Sequence, residues 1–291
     1  MRPTKSFSIA AVAAAGVLVL AGCTDSGTPN AEPTVDDTVE FEAGTTMAEL
    51  NEAGAITIGT KFDQPLFGLA GPDGEPEGFD VEIGKMIAAE LGIAPDGITW
   101  TETVSKNREP FIQSGEVDLV IATYTINDDR KKVVSFAGPY YTAGQDILVP
   151  AGNPEGIEGV EDLAGKNVCS VTGSTSEKNL IEAGAVVLPA AGYSDCLEPL
   201  RNGAVVAVST DNVILAGLAD QNAGEFEVVG NPFTEEPYGI GLALEDDVFR
   251  DWINDVLEAS YEDGRWADAW EATAGKVLET PEPPAVDRYT R

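Results

Sequence analysis

The sequence predicts an α/β protein of two lobes, each a mostly parallel sheet flanked by helices, joined by two crossover segments. Three observations carry that expectation. From Ala55 onward, short β-rich runs alternate with helical runs, as in βα units. The alternation runs twice, before and after residue 144, in a similar order and without a residue-level repeat. After the second series come one more strand and the clearest amphipathic helix in the chain, which need a core to cover. The first lobe is the natural host, so the chain crosses between lobes near "TAGQD" and again near "EEPYG", and paired crossovers make a hinge.

In chain order, "AITIGT" (55–60) reads as a strand. "GFDVEIGKMIAAELG" (78–92) places Ile83, Met86, Ile87 and Leu91 on one helical face, with Asp80 as N-cap and Gly92 as stop. "ITWTET" (98–103) is a strand, "REPFIQSG" (108–115) a short helix and "VDLVIATYT" (117–125) a buried strand. The second series opens after "GQDILVP" (144–150). It runs through "KNVCSVTG" (166–173), "STSEKNLIEAG" (174–184), "AVVLPA" (185–190), "CLEPLRNG" (196–203), "AVVAVSTD" (204–211) and "FEVVG" (226–230). "YGIGLALE" (238–245) resumes a strand, and "DDVFRDWINDVLEASYEDG" (246–264) repeats Val248, Phe249, Trp252, Ile253, Val256 and Leu257 at helical spacing.

Ahead of this body, Arg2 and Lys5 precede the apolar run "SIAAVAAAGVLVLAG", a signal-peptide pattern too short to span a bilayer. It closes in "LAGC", a lipobox, so Cys23 is expected to become a lipidated N-terminus on the outer face of the cytoplasmic membrane. The expected divisions are 1–22 signal peptide, 23–45 disordered tether, 46–144 with 239–280 as lobe 1, 145–238 as lobe 2, and 281–291 a disordered tail. Cys169 and Cys196 are then the remaining cysteines in an oxidising setting, where one disulfide is the simplest pairing.

Fifty acidic residues against 17 basic give a net charge of −33, which opposes nucleic-acid binding. The chain has no histidine, so Ser-His-Asp and Cys-His catalysis and most zinc sites are excluded. No cofactor motif or metal-ligand cluster stands out, and the expected protein is a monomer.

Against that acidity, cations gather where strands end. Lys61 in "GTKFDQP", Arg108 in "SKNREPF" and Arg130 in "TINDDRKK" all fall just beyond strand C-termini of one lobe, the edge where open α/β sheets bind ligands. Each alone reads equally as surface decoration; their joint placement points to an anionic ligand. Lys131 and Lys132 are expected to be solvated, and Asp128 and Asp129 to sit on a helix's first turn, where acids suit the dipole. "VTGSTSEKNL" sets a small-residue turn before a helix, so amides at Ser174 and Thr175 either bind a carboxylate or belong to a plain cap with Glu177. Asp211 in "STDN" either receives a ligand ammonium or caps the helix of "NVILAGL". Glu235–Glu236 and Asp128–Asp129 also admit an acid/base reading.

These stretches, with "GFDVEI", "VDLVIATYTINDDRKKVVSFAGPYYTAGQD" and "FTEEPYGIG", resemble the polar amino-acid-binding proteins of ABC importers, solute-binding protein family 3. The likeness runs from about Thr45 to Gly275 and is greatest to actinobacterial glutamate-binding lipoproteins. It implies a periplasmic-binding-protein-like clamshell that shuts on a free amino acid and presents it to a membrane permease. By resemblance, Arg130 takes the α-carboxylate, joined by Thr125 and the amides of Ser174 and Thr175; Thr123 and Asp211 take the ammonium. Lys61, Ser105 and Arg108 match the acidic-ligand pattern, which favours a side-chain carboxylate over an amide; glutamate is the expected ligand, with aspartate, glutamine and asparagine as alternatives. Tyr193 contacts the side chain in some relatives, and Gln64 and Phe67 are placed to wall the pocket. A sensor lipoprotein shares every one of these features, and a few dehydratases share the fold.

Overall fold

The computed structural model describes residues 33–35 and 38–290. The signal peptide, the lipidation site Cys23 and much of the tether lie outside the described residues.

Lobe 1 opens with α1 (Thr46–Ala53), capped by the Thr45 side chain, and β1 (Ile56–Thr60). A small antiparallel sheet follows, of β2 (Asp63–Gln64), β3 (Gly68–Ala70) and β4 (Pro76–Glu77). Then come α2 (Phe79–Glu90), β5 (Ile98–Glu102), α3 (Arg108–Ser114), β6 (Leu119–Val120), α4 (Asp128–Lys131) and β7 (Ser135–Ala143). Lobe 2 comprises β8 (Gln145–Pro150), β9 (Asn167–Val171), α5 (Thr175–Glu182), β10 (Val186–Ala190), α6 (Leu197–Arg201), β11 (Ala207–Asp211), α7 (Asn212–Gln221) and β12 (Phe226–Val228). The chain returns to lobe 1 as β13 (Glu236–Leu242), α8 (Asp247–Asp263) and α9 (Arg265–Ala272).

Each lobe is built on a five-stranded sheet, ordered β5-β1-β6-β13-β7 and β10-β9-β11-β8-β12. The expectation of mostly parallel sheets is corrected to mixed ones. β5, β1 and β6 run parallel, but β13 is antiparallel to β6 and β7. Lobe 2 matches this, with β8 antiparallel to β11 and β12. The cause is the double crossover: strands that leave and re-enter a lobe at the hinge run against its βα units. β7 and β13 pair as far as Ala143 opposite Glu236, so both connections leave lobe 1 side by side.

Core packing explains the returning helices. Trp266 and Trp270 of α9 are fully buried and meet Phe79 edge-on, and Trp270 stacks on Tyr141. α8 buries Phe249, Ile253, Val256 and Leu257 against the sheet, as its spacing predicts, but Val248, expected on that face, is exposed and Trp252 is half-buried. In lobe 2, Cys169 and Cys196 are disulfide-bonded with Cα atoms 5.6 Å apart, tying β9 to the start of α6. A loop of that length contributes about 3 to 4 kcal/mol in the chain-entropy account.

Several local expectations need correction. Residues 117–125 form only the two-residue β6 and, past a kink where Thr123 takes a left-handed φ of 44°, touch the sheet again through a single bridge from Thr125 to Tyr238 of β13. Phe67 packs among Phe79, Tyr141, Tyr238 and Trp270 rather than walling a pocket. Gly78, not Asp80, is the N-cap of α2. The segment after 280 has no helix or strand, yet it is held: Asp287 N–H donates to Gly138 O, and Phe136 N–H donates to the Tyr289 hydroxyl. Lys131, expected in solvent, pairs with Asp287 at 2.9 Å and faces the Tyr289 ring at 4.1 Å.

Candidate functional site

The lobes meet over a polar cavity lined from lobe 1 by Ser105, Arg108, Thr123 and Thr125, and from lobe 2 by Ser174, Thr175, Ser176, Tyr193, Thr210, Asp211 and Ile214. About 10 Å³ is left between them, roughly the room one water needs, so any larger solute enters only when the lobes part. Closure is tight: Gly173 (φ 83°) comes so near Lys106 that an added Cβ would lie 2.9 Å from the Lys106 Cα. A larger groove of about 420 Å³, between Pro65, Lys85, Asp220 and Lys276, lacks converging buried charges. The chemistry sits in the smaller cavity.

Arg108 begins α3, where its Nε donates to Ser105 O and one terminal nitrogen donates to Ala122 O (3.2 Å) and Thr123 O (3.3 Å). Arg130 lies in α4, whose Asn127 side chain caps the helix by accepting from Arg130 N. Its guanidinium donates to Thr125 O (2.7 Å) and, across the cleft, to Gly173 O (3.2 Å), while Nε faces Glu109 at 3.2 Å. Tyr124 separates the two arginines, with its ring 4.3 Å from one guanidinium and 5.0 Å from the other. The ring's negative faces ease the crowding of two like charges. Burial, and then Arg130, draws Arg108 down to about 10.

Lys61 is 3 % exposed and donates to Ser105 Oγ at 2.9 Å. Burial, then Arg108, lowers it to about 7, against the upward pull of Asp63 and Asp80. Asp80, fully buried beneath the site, accepts from Thr123 N (2.8 Å) and the Tyr140 hydroxyl (2.6 Å). It therefore holds Thr123 in its left-handed conformation. Burial raises Asp80 to about 7, opposed by those two hydrogen bonds and by Lys61. Thr123 Oγ1 donates to Gln64 Oε1 at 3.0 Å, so Gln64 supports the site from behind.

On lobe 2, Ser174 caps α5 by accepting from Glu177 N, and its own N–H goes to Val171 O. Glu177 takes the Gly173 amide, so this turn is in part a cap, and Ser174's amide is not open to a ligand. Thr175 Oγ1 stands 3.5 Å from Thr125 Oγ1 of lobe 1. Tyr193 is buried with its hydroxyl among Ser174, Ser176 and Thr210, and its N–H donates to Asp63 across the cleft. Asp211 occupies the N-cap position of α7 but makes no side-chain cap bond. Its Oδ2 accepts from the Tyr238 hydroxyl at 2.6 Å, whereas Oδ1 is buried without a partner. Burial, and then the nearby Glu236, raises Asp211 to about 7.

The fold thus gathers Lys61, Ser105, Arg108, Thr123, Thr125, Arg130, Ser174, Thr175, Tyr193 and Asp211 around one cleft. Sequence reasoning missed Tyr124, Tyr238, Ser176 and Thr210; it gave Asp80 only an N-cap role and Glu236 only an acid/base reading. Ser176 and Thr210 were adjacent to residues already singled out; the tyrosines stand in stretches that read as strands, and they and Asp80 lie buried.

The family model for bacterial extracellular solute-binding proteins, family 3, matches residues 56–272. The chain belongs to that family. It is 37% identical over 270 residues, 91% of its own length and 96% of the relative's, to the ABC transporter glutamine-binding protein GlnH of Bacillus subtilis. It is 42% identical over 237 residues, 77% of this chain and 80% of the other, to the glutamate-binding protein GluB of Corynebacterium efficiens. Among solved structures, an ancestral arginine-binding protein bound to glutamine superposes with a TM-score of 0.70 at 36% identity, covering 75% of this chain and 96% of that one. These relatives bind solutes rather than transform them, so this family 3 protein is an extracellular solute-binding protein and not an enzyme. Glu236 and Asp128–Asp129 need no acid/base role: Glu236 lies at the hinge, and Asp128 and Asp129 form the first turn of α4.

Proposed function

We propose that the protein captures L-glutamate by clamshell closure and delivers it to the permease of an ABC importer, anchored to the membrane by lipid on Cys23. The observation that carries the reading is the Asp211 carboxylate: it lines the cavity opposite Arg108, and its Oδ1 is buried and unpartnered. An unsatisfied buried acid costs free energy that an incoming ammonium returns. Glutamate brings one ammonium and two carboxylates. Asp211 and the Thr123 carbonyl suit the first, and Arg130 with Thr125 suits the α-carboxylate in a bidentate pair. Lys61, Ser105 and Arg108 suit the distal carboxylate, since two cations there favour a charge over an amide. Relatives named for glutamate and for glutamine support the ligand class. Calorimetry with glutamate, aspartate, glutamine and asparagine tests this: micromolar or tighter binding of glutamate, with glutamine weaker, is the expected order. Binding of none of the four would refute it. Labelling with radioactive palmitate, lost in Cys23→Ala, tests the anchor.

A further inference from the structure

Where the two crossovers run side by side, β13 begins at Glu236, opposite Ala143. Glu236 is 3 % exposed. Its Oε2 accepts from Thr175 Oγ1 at 2.8 Å, and its Oε1 accepts from Thr234 Oγ1 at 2.9 Å and Asn179 Nδ2 at 3.5 Å. Thr175 and Asn179 stand four apart on one face of α5, so one carboxylate grips a full turn of the lobe 2 helix from the hinge. Asn179 also donates to Gln145 Oε1, and Gln145 N–H donates to Thr234 Oγ1, which ties in the other crossover. The helix so held presents Thr175 to the cleft, against Thr125 of lobe 1.

All of these partners are neutral, so nothing in the network balances a charge on Glu236. That charge acts on Asp211, whose open oxygen faces the cavity. The other groups acting on Asp211 are the Tyr238 hydroxyl, which donates to it, Arg108 and Arg130, and the neighbouring Tyr141 and Tyr193.

We propose that Glu236 is a positioning residue for the ligand's ammonium group: it fixes Thr175 at the cleft from the hinge, and its charge makes Asp211 demand a cationic partner. The proposal deepens the amino-acid reading and rests on it. A ligand ammonium pairs with Asp211 and offsets the nearby charge of Glu236, whereas a deaminated analogue leaves the Asp211 oxygen open.

The test compares wild type with Glu236→Gln and Thr175→Val by calorimetry with L-glutamate and with glutarate, between pH 5.5 and 8. In wild type, glutamate affinity falls on the acid side as Asp211 takes up a proton. Glu236→Gln removes the charge and keeps one acceptor, so Asp211 ionises more readily. The acid limb moves down by about one pH unit, and the preference for glutamate over glutarate at pH 7 narrows about tenfold. Thr175→Val keeps the charge and breaks the hinge contact, so affinity falls with the limb unmoved. Titration of the Asp211 carboxyl by carbon NMR in ligand-free protein reads the same shift without any ligand. An unmoved limb together with an unmoved carboxyl in Glu236→Gln overturns the proposal, whereas absence of glutamate binding by wild type overturns the ligand reading and leaves the NMR test standing.

Discussion

Lys61 and Arg108 are both buried and both lean on Ser105, but they are not interchangeable. Arg108 also holds the carbonyls of Ala122 and Thr123, so removing it loosens the chain that carries the ammonium side of the site. Lys61 has one side-chain partner and a charge that burial already weakens. It is the cleaner probe of the distal carboxylate. Lys61→Met should weaken glutamate binding about 10- to 100-fold, the worth of a hydrogen bond to a charged group, and affect glutamine far less. Competition calorimetry decides it, and equal loss for both ligands would remove Lys61 from the side-chain subsite. Arg130→Ala should abolish binding of all four candidate amino acids alike, because the α-carboxylate is common to them; retained micromolar binding would contradict its assignment.

At the scale of elements, the alternation of β-rich and helical runs located β1, α2, α5 and α8; α8 buries one face, whereas β1 and α2 are buried on nearly every side. The same pattern overextended β6 because "VDLVIATYT" stays apolar and buried after the strand ends; the left-handed backbone at Thr123, which Asp80 holds from α2, interrupts the pairing before Thr125 bridges to Tyr238. Such a constraint comes from 43 residues away and leaves no local pattern. The site was legible for its cations, which are conspicuous in an acidic chain; Asp80 and Glu236 stood out only as an N-cap and an acid/base candidate, because no local pattern shows that the fold buries them. The segment after 280 was misread for a related reason. "EPPAVDRYT" looks like a tail, yet Arg288 meets Asp255 and Glu258 of α8, and the Tyr289 ring lies between Lys131 and Arg250. The strap therefore buttresses α4, the helix that carries Arg130. Tyr289→Ala frees the Phe136 amide and removes both ring contacts, and it should cost about 1 to 3 kcal/mol in urea unfolding. A change within 0.3 kcal/mol would show that the strap is only laid on the surface.

For the whole molecule, the buried charges set an unusual dependence of stability on pH. Asp80 and Asp211 rise from 3.8 to about 7 in the fold, so between those values the native protein holds protons that the unfolded chain has lost. Their contribution is full below pH 3.8 and is lost as pH climbs through 7. Lys61 falls from 10.5 to about 7, so its contribution is present above 10.5 and is lost as pH descends to 7. The three groups converge on least stability near neutrality. The net charge of −33 acts in the same sense on the acid side, because self-repulsion eases as surface carboxylates begin to protonate. Ligand-free protein should therefore melt a few degrees higher at pH 5.5 than at pH 7, the scale of about 1 to 2 kcal/mol in a body of this size. Asp211→Asn abolishes one of the two titrating acids and should flatten that rise. Saturating glutamate should flatten it as well, by raising the melting temperature most at pH 7, where the unpaired cleft charges are most costly. Scanning calorimetry over pH 5.5 to 8, with and without ligand, measures all three, and a wild-type melting temperature that falls on acidification across that range would contradict the buried-acid account.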